Sequence, residues 1–253
     1  MTAVTIMLTA LRQIFANLGQ VLRIFLLPCL IATAIIFGGI WIIYEHRNIP
    51  GQAAFTLMLT ALICGLWSAV NFHRHILLGE RFGWLPRLHI RETMGYGIML
   101  IPMGLVLVGS TWAITLVATE LIFGPNLNLL GQMHVILRAV LFTLVTSTLI
   151  VALGLRLLSL LPGLAIGAVL RGYTRPRGSI ATVLLIALIL SGLRIGYSIL
   201  LWAMMMTPID PPTIIFVLQS TWVANVIIAI FAPIYFISLL TALYAQYVGK
   251  PAA

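Results

Sequence analysis

The stretch Asn71–Glu92, NFHRHILLGERFGWLPRLHIRE, holds the densest group of reactive side chains in the chain. His73, His75 and His89, Arg74, Arg81, Arg87 and Arg91, and Glu80 and Glu92 all fall within it. The whole chain has 14 Lys+Arg, 5 Asp+Glu and 5 His in 253 residues. Three chemistries compete for this stretch. A zinc site would use the histidines, but zinc needs three or four converging ligands and a carboxylate behind them. His73 and His75 are two residues apart, on opposite sides of a helix, and no Cys or Asp completes a set. Acid–base catalysis would use Glu80 and Glu92, yet nothing in their spacing fixes them across a substrate cleft. The third reading is a wet, basic segment at a membrane surface, with Phe82 and Trp84 at head-group level and arginines on lipid phosphates. That reading asks least of the residues. On a continuing helix His73 and Glu80, seven apart, share a face, as Arg87 and Arg91 do if their segment is helical.

A second polar feature stands alone. Arg194 lies in an apolar run, ILSGLRIGYSIL. A cation at bilayer depth costs about 2.5–3.5 kcal/mol on insertion scales and normally faces protein or water. Either it has a structural partner (Glu120, Tyr44 or carbonyls freed at a kink) or it lines a solute path. The structural reading carries more weight, and it predicts that Arg194→Leu lowers stability. Gly192 and Gly196 bracket it as a small-xxx-small pair that lets another helix approach. Arg138 and His134 lie near a helix end and can snorkel. Cys29 and Cys64 sit in apolar segments and read as packing residues.

These residues need elements to hold them, and composition says what those are. The chain is 62% hydrophobic and 8% charged, with mean hydropathy +1.15. Soluble domains carry about 25% charged residues. The solvent is therefore a bilayer, and one all-α, polytopic membrane bundle fills residues 1–253. Six segments are long and apolar enough to cross, at roughly 22–44, 52–72, 93–118, 133–158, 179–206 and 214–245. Proline- and glycine-bearing breaks separate them, as at 48–51, 124–126, 171–179 and 208–212. Residues 133–170 would make a helix of about 57 Å, too long for a core of about 30 Å. Arg156 and Pro162 interrupt it, so a span ends near Leu158 and SLLPGLAIGAVL is expected to lie along the membrane.

Residues 1–20 read as an amphipathic interfacial helix. Val4, Met7, Leu8, Leu11, Ile14, Phe15, Leu18 and Leu22 share one side, and Thr5, Thr9, Arg12, Gln13, Asn17 and Gln20 the other. No cleavable signal peptide is read there, for want of an early basic region and an A-x-A site. Pro28, Pro102 with Gly104, and Pro233 fall within spans, as membrane helices tolerate. No inverted repeat is visible, which weighs against a two-halves transporter.

Charge sets the threading. With six spans and the N-terminus inside, Arg12, Arg23, Arg74, Arg81, Arg87, Arg91, Arg156, Arg171, Arg175, Arg177 and Lys250 face one side, and Arg47 and Arg138 the other. The positive-inside rule puts the first set, and both termini, in the cytoplasm. The net charge of +9 sits at the ends of apolar segments. Anionic head groups account for it better than nucleic acid does.

Trp67–Glu80, WSAVNFHRHILLGE, and Arg156–Pro162, RLLSLLP, resemble two signatures of uncharacterised six-span inner-membrane proteins of proteobacteria. That group is distantly similar to the membrane domain found beside glycerophosphoryl diester phosphodiesterases. No phosphodiesterase barrel with its acidic metal ligands is present, so the resemblance implies a membrane architecture and no activity. P-loop and dinucleotide fingerprints and haem-ligating His pairs within spans are absent, and no catalytic residue, metal or cofactor is expected. Two functions stay open. One is a non-enzymatic membrane protein that organises lipids, with anionic head groups as partners, or an unidentified protein partner. The other is a carrier or channel for a small anionic or amphipathic solute. A lipid head-group enzyme ranks below both.

Overall fold

The computed structural model describes residues 2–46, 51–123, 135–167, 180–206 and 211–247. Eight helices account for them: α1 (Ala3–Phe15), α2 (Leu18–His46), α3 (Gly51–Leu78), α4 (Ile90–Phe123), α5 (Val135–Leu158), α6 (Leu161–Ala165), α7 (Ile180–Met206) and α8 (Pro211–Tyr247). Among the described residues there is no strand. Six helices, α2 to α5, α7 and α8, are long and apolar enough to cross a membrane, α5 with α6 forming one candidate span. The chain is an all-α, multi-pass membrane bundle. Pro28, Pro102 and Pro233 lie inside α2, α4 and α8 without ending them. Arg47, His134, Arg171, Arg175, Arg177 and Lys250, and the breaks at 124–126 and 171–179, lie outside the described residues, as does the side chain of Tyr44.

Two compact units divide the chain. The first comprises Leu8–Ile101, Ser159–Pro176 and Ile237–Ala253. In it α3 packs against α2 and α6. Six consecutive α3 residues, Ser68–His73, are buried, and so are Ser238–Tyr244 at the end of α8. Successive residues on a helix step by about 100°, so such runs bury the whole circumference. These two helix ends are the core of the unit. Ile14, Val21, Ile24, Phe82, Tyr96 and Leu161 close around them. At Gly163 a Cβ would meet the Tyr244 ring 2.9 Å away, so α6 approaches α8 where only glycine fits.

The second unit comprises Met1–Met7, Pro102–Leu158 and Arg177–Phe236, with α5 packed against α7. Thr146, Leu155, Ile186, Ala187 and Ser191 are buried in it. The hydroxyls of Thr111, Thr119 and Thr143 donate to carbonyls four residues back, at 2.7–2.8 Å. That is how a polar group survives in hydrocarbon, where no water can serve it. Leu105, Val108 and Trp112 of α4 are exposed, as suits lipid as solvent.

Packing adds to two readings of the sequence. On α1 the packed face is Ala3, Ile6, Ala10 and Ile14, while Val4, Leu8 and Phe15 are exposed. The small alanines allow close approach, and hydropathy alone ranks them below the larger side chains it put on the apolar side. The segment after α5, expected to lie along the membrane, is packed against protein as far as Ala165. Leu161, Pro162, Gly163 and Ala165 are buried in the first unit, because the Arg74 side chain and the glycine-sized gap at Gly163 draw α6 inward.

Candidate functional site

The connection from α3 to α4 is the site, and Arg74 organises it. Gly79, with φ 69°, takes the left-handed turn that ends α3, and its N–H bonds the His75 carbonyl at 3.1 Å. That turn brings Glu80 back over the helix. Arg74 Nε donates to Glu80 Oε2 at 3.0 Å, and Nη2 donates to Oε1 in a side-on, bidentate pair. The remaining nitrogen, Nη1, donates to the Ala165 carbonyl at 3.2 Å and lies 3.8 Å from Glu92 Oε1. One guanidinium thus holds the end of α6, the start of the connection and the first turn of α4.

Three more ties fix the segment. His75 Nδ1 lies 2.6 Å from the Glu80 carbonyl; a carbonyl only accepts, so Nδ1 carries the proton. The Phe82 N–H donates to Gln20 Oε1 at 3.0 Å, with the Phe82 ring buried. Trp67 Nε1 donates to the Arg87 carbonyl at 3.1 Å. Trp67 and Arg74 are seven apart and share one face of α3, so both ends of the connection are gripped from one helix.

The consequence is a sorting of charge. Glu80 and Glu92 turn toward Arg74, while Arg81, Arg87 and Arg91 remain exposed. Trp84, Leu85 and Leu88 are exposed between those arginines, and the Arg23 guanidinium stands 5.5 Å from the Trp84 ring centroid. The hydrogen bonds from Arg74, more than any other influence, hold the Glu80 carboxyl below its ordinary value. His89 Nε2 lies 3.6 Å from Glu80 Oε2, beyond hydrogen-bond reach. Burial foremost, and then the Arg74 charge, push the His89 imidazole down. The ionised Glu80 and the neutral His89 are therefore the favoured forms at neutral pH.

His73 is elsewhere. It is fully buried, with Nδ1 2.8 Å from Thr241 Oγ1 and Nε2 3.2 Å from the Tyr96 hydroxyl. The single Thr241 hydroxyl proton goes to the Ile237 carbonyl at 2.9 Å. Thr241 oxygen must then accept from Nδ1–H, which leaves Nε2 to accept from Tyr96. Proton positions follow from that chain of bonds, and His73 is a neutral core residue joining α3, α4 and α8. Ser238 makes a similar join, donating to the Ala10 carbonyl at 2.8 Å with Gln13 Oε1 at 2.9 Å.

Of the residues grouped as a lipid-facing segment, Arg81, Arg87 and Arg91 lie outward. His73 and Arg74 do not: burial claims the first and Glu80 the second. The three histidines diverge onto different partners, and among the described residues no three His, Cys, Asp or Glu side chains gather as metal ligands. Arg156 is exposed on the last turn of α5, and Pro162 is buried in the first turn of α6. Arg194 is exposed on α7, and among the described residues it has no ion pair; Glu120, also exposed, has none either. Gln20, Tyr96, Thr241 and Ser238 were not singled out in the sequence. Gln20 alone left a signal, as a polar residue on the hydrophilic side of the N-terminal helix. Comparison of the chain with protein-family models, curated proteins and solved structures finds no match.

Proposed function

We propose that this multi-pass membrane protein is a non-enzymatic organiser of the lipid surface, with the 79–89 connection resting on anionic head groups. The observation that carries the reading is the sorting of charge by Arg74. The guanidinium pairs with the connection's own carboxylates, so the outer surface presents arginines around Trp84, Leu85 and Leu88. Basic and aromatic side chains at head-group depth are the chemistry that anionic phospholipids attract, at about 1 kcal/mol per arginine near the surface. The excess of basic residues supports a cytoplasmic side for this face and both termini, in a bacterial inner membrane. The resemblance of Trp67–Glu80 and Arg156–Pro162 to six-span inner-membrane proteins supports the same architecture.

The test uses the full chain in lipid nanodiscs, digested with trypsin at Arg81, Arg87 and Arg91. Nanodiscs containing phosphatidylglycerol should protect these bonds relative to pure phosphatidylcholine, and added salt should remove the protection by screening. Protection that ignores lipid charge would assign the exposed arginines to a protein partner instead.

A further inference from the structure

Arg194 lies about 21 Å of helix rise from Ile180 and about 18 Å from Met206, at the two ends of α7. The centre of a hydrocarbon core is only about 15 Å from either boundary, so this cation sits near mid-depth. It is exposed, and among the described residues no carboxylate pairs with it. A guanidinium brings up to five N–H donors and a charge that hydrocarbon cannot serve.

The surroundings are polar in one direction only. Tyr197 and Ser198 are three and four residues on from Arg194 and share its face of α7. The Tyr197 hydroxyl donates to Asn225 Oδ1 on α8 at 3.0 Å, and Asn225 Nδ2 donates to the Thr221 carbonyl at 3.0 Å. A primary amide has two hydrogens, so Asn225 keeps one N–H to give. The Ser198 hydroxyl is committed to the Arg194 carbonyl at 3.0 Å. One turn of α7 and the facing turn of α8 thus present a cation, an amide N–H with no acceptor among the described residues, and a phenolic oxygen. Around them Leu193, Leu200, Trp222 and Val226 are exposed and apolar.

We propose that Arg194, with Tyr197 and Asn225, is a binding site for the anionic head, carboxylate or phosphate, of a single-chain amphiphile whose tail stays in the hydrocarbon. A planar guanidinium matches either oxyanion with two parallel bonds. The exposed apolar side chains on both helices suit a tail, which a small water-soluble anion lacks. This site lies in the second unit and does not depend on the 79–89 connection, which belongs to the first.

The test is made on the full chain in an uncharged maltoside detergent, titrated with oleate, oleoyl lysophosphatidic acid and neutral monoolein. Wild type should bind the two anionic amphiphiles at least about tenfold more tightly than monoolein, the size of one hydrogen-bonded charge contact. The saturable, salt-resistant part of that preference should vanish in Arg194→Gln and persist in part in Arg194→Lys; Arg81→Gln with Arg87→Gln should remove only the weak, salt-screened part that the connection adds. Wild type with no preference for oleate over monoolein overturns the proposal whether or not any variant folds. So does a preference unchanged in Arg194→Gln, or a response to inorganic phosphate with none to oleate. A wild-type dimer that Arg194→Gln dissociates overturns it too, because the counter-charge is then protein.

Discussion

Arg74 and Arg194 are the same residue type in two helices that both qualify as spans, and their surroundings are opposite. Arg74 commits every guanidinium nitrogen: two to Glu80 and the third to the Ala165 carbonyl, with Glu92 nearby. Arg194 is exposed, with no ion pair among the described residues. Just before Arg74, α3 is buried on all sides over Ser68–His73; around Arg194, residues 192–194 and 198–200 of α7 are exposed. The difference shows that an arginine in an apolar helix has no fixed role. What decides is whether tertiary packing brings acceptors to it. Where it does, the cation is a structural clamp, and where it does not, it is available to something else.

The largest effect should come from Arg74→Leu. It strands the partly buried Glu80 carboxylate and the Ala165 carbonyl, and the cost is about 2–3 kcal/mol. Thermal melting in detergent should fall, and trypsin should cut faster at Arg81 and Arg87. Unchanged melting would erase the contrast between the two arginines. His73→Leu should follow at about 1–3 kcal/mol, because it leaves the buried Tyr96 hydroxyl without an acceptor. A Tyr96→Phe change made with it should recover part of the loss, measured by the same melts.

Acid should act in the same direction through two groups. The Glu80 carboxyl is held low, so its contribution is complete above the ordinary carboxylate range and is lost as pH falls through its depressed value. The His89 imidazole is also pushed down from 6.5, so the unfolded chain takes up that proton first and stability begins to fall below about pH 6.5. Melting and trypsin resistance of the connection should therefore both decline from neutral toward acid pH. His89→Gln should remove the upper part of that decline and Glu80→Gln the lower part.

The smallest effect should belong to Arg194→Leu. With no carboxylate among the described residues to strand, melting should stay within about 0.5 kcal/mol of wild type or rise. This reverses the expectation drawn from the sequence, where Glu120 stood as a possible partner. A drop as large as that of Arg74→Leu would reveal a counter-charge and remove the distinction.

The six spans were legible in the sequence because the requirement behind them is local. About 20 predominantly apolar residues must follow one another, and each of the six runs does, even with Arg194 in the fifth and Pro28, Pro102 and Pro233 inside three others. The same holds for the end of α5 at Leu158, which the charge of Arg156 and the ring of Pro162 mark in the chain itself. Polarity also picked out 71–92, whose residues 79–89 join two of these helices.

Which of its arginines are exposed was settled only by tertiary structure. Helical spacing says that Arg74 shares a face with Trp67, but not that the face meets Ala165, 91 residues away. Nor does it say that the φ 69° turn at Gly79 carries Glu80 back over the helix. The buried join at His73 needs Thr241, 168 residues on, and Tyr96 from another helix. Periodicity determines which residues stand together on a face. Packing alone determines what the face touches, and for a charged side chain in lipid that contact is the whole difference between a clamp and an open site.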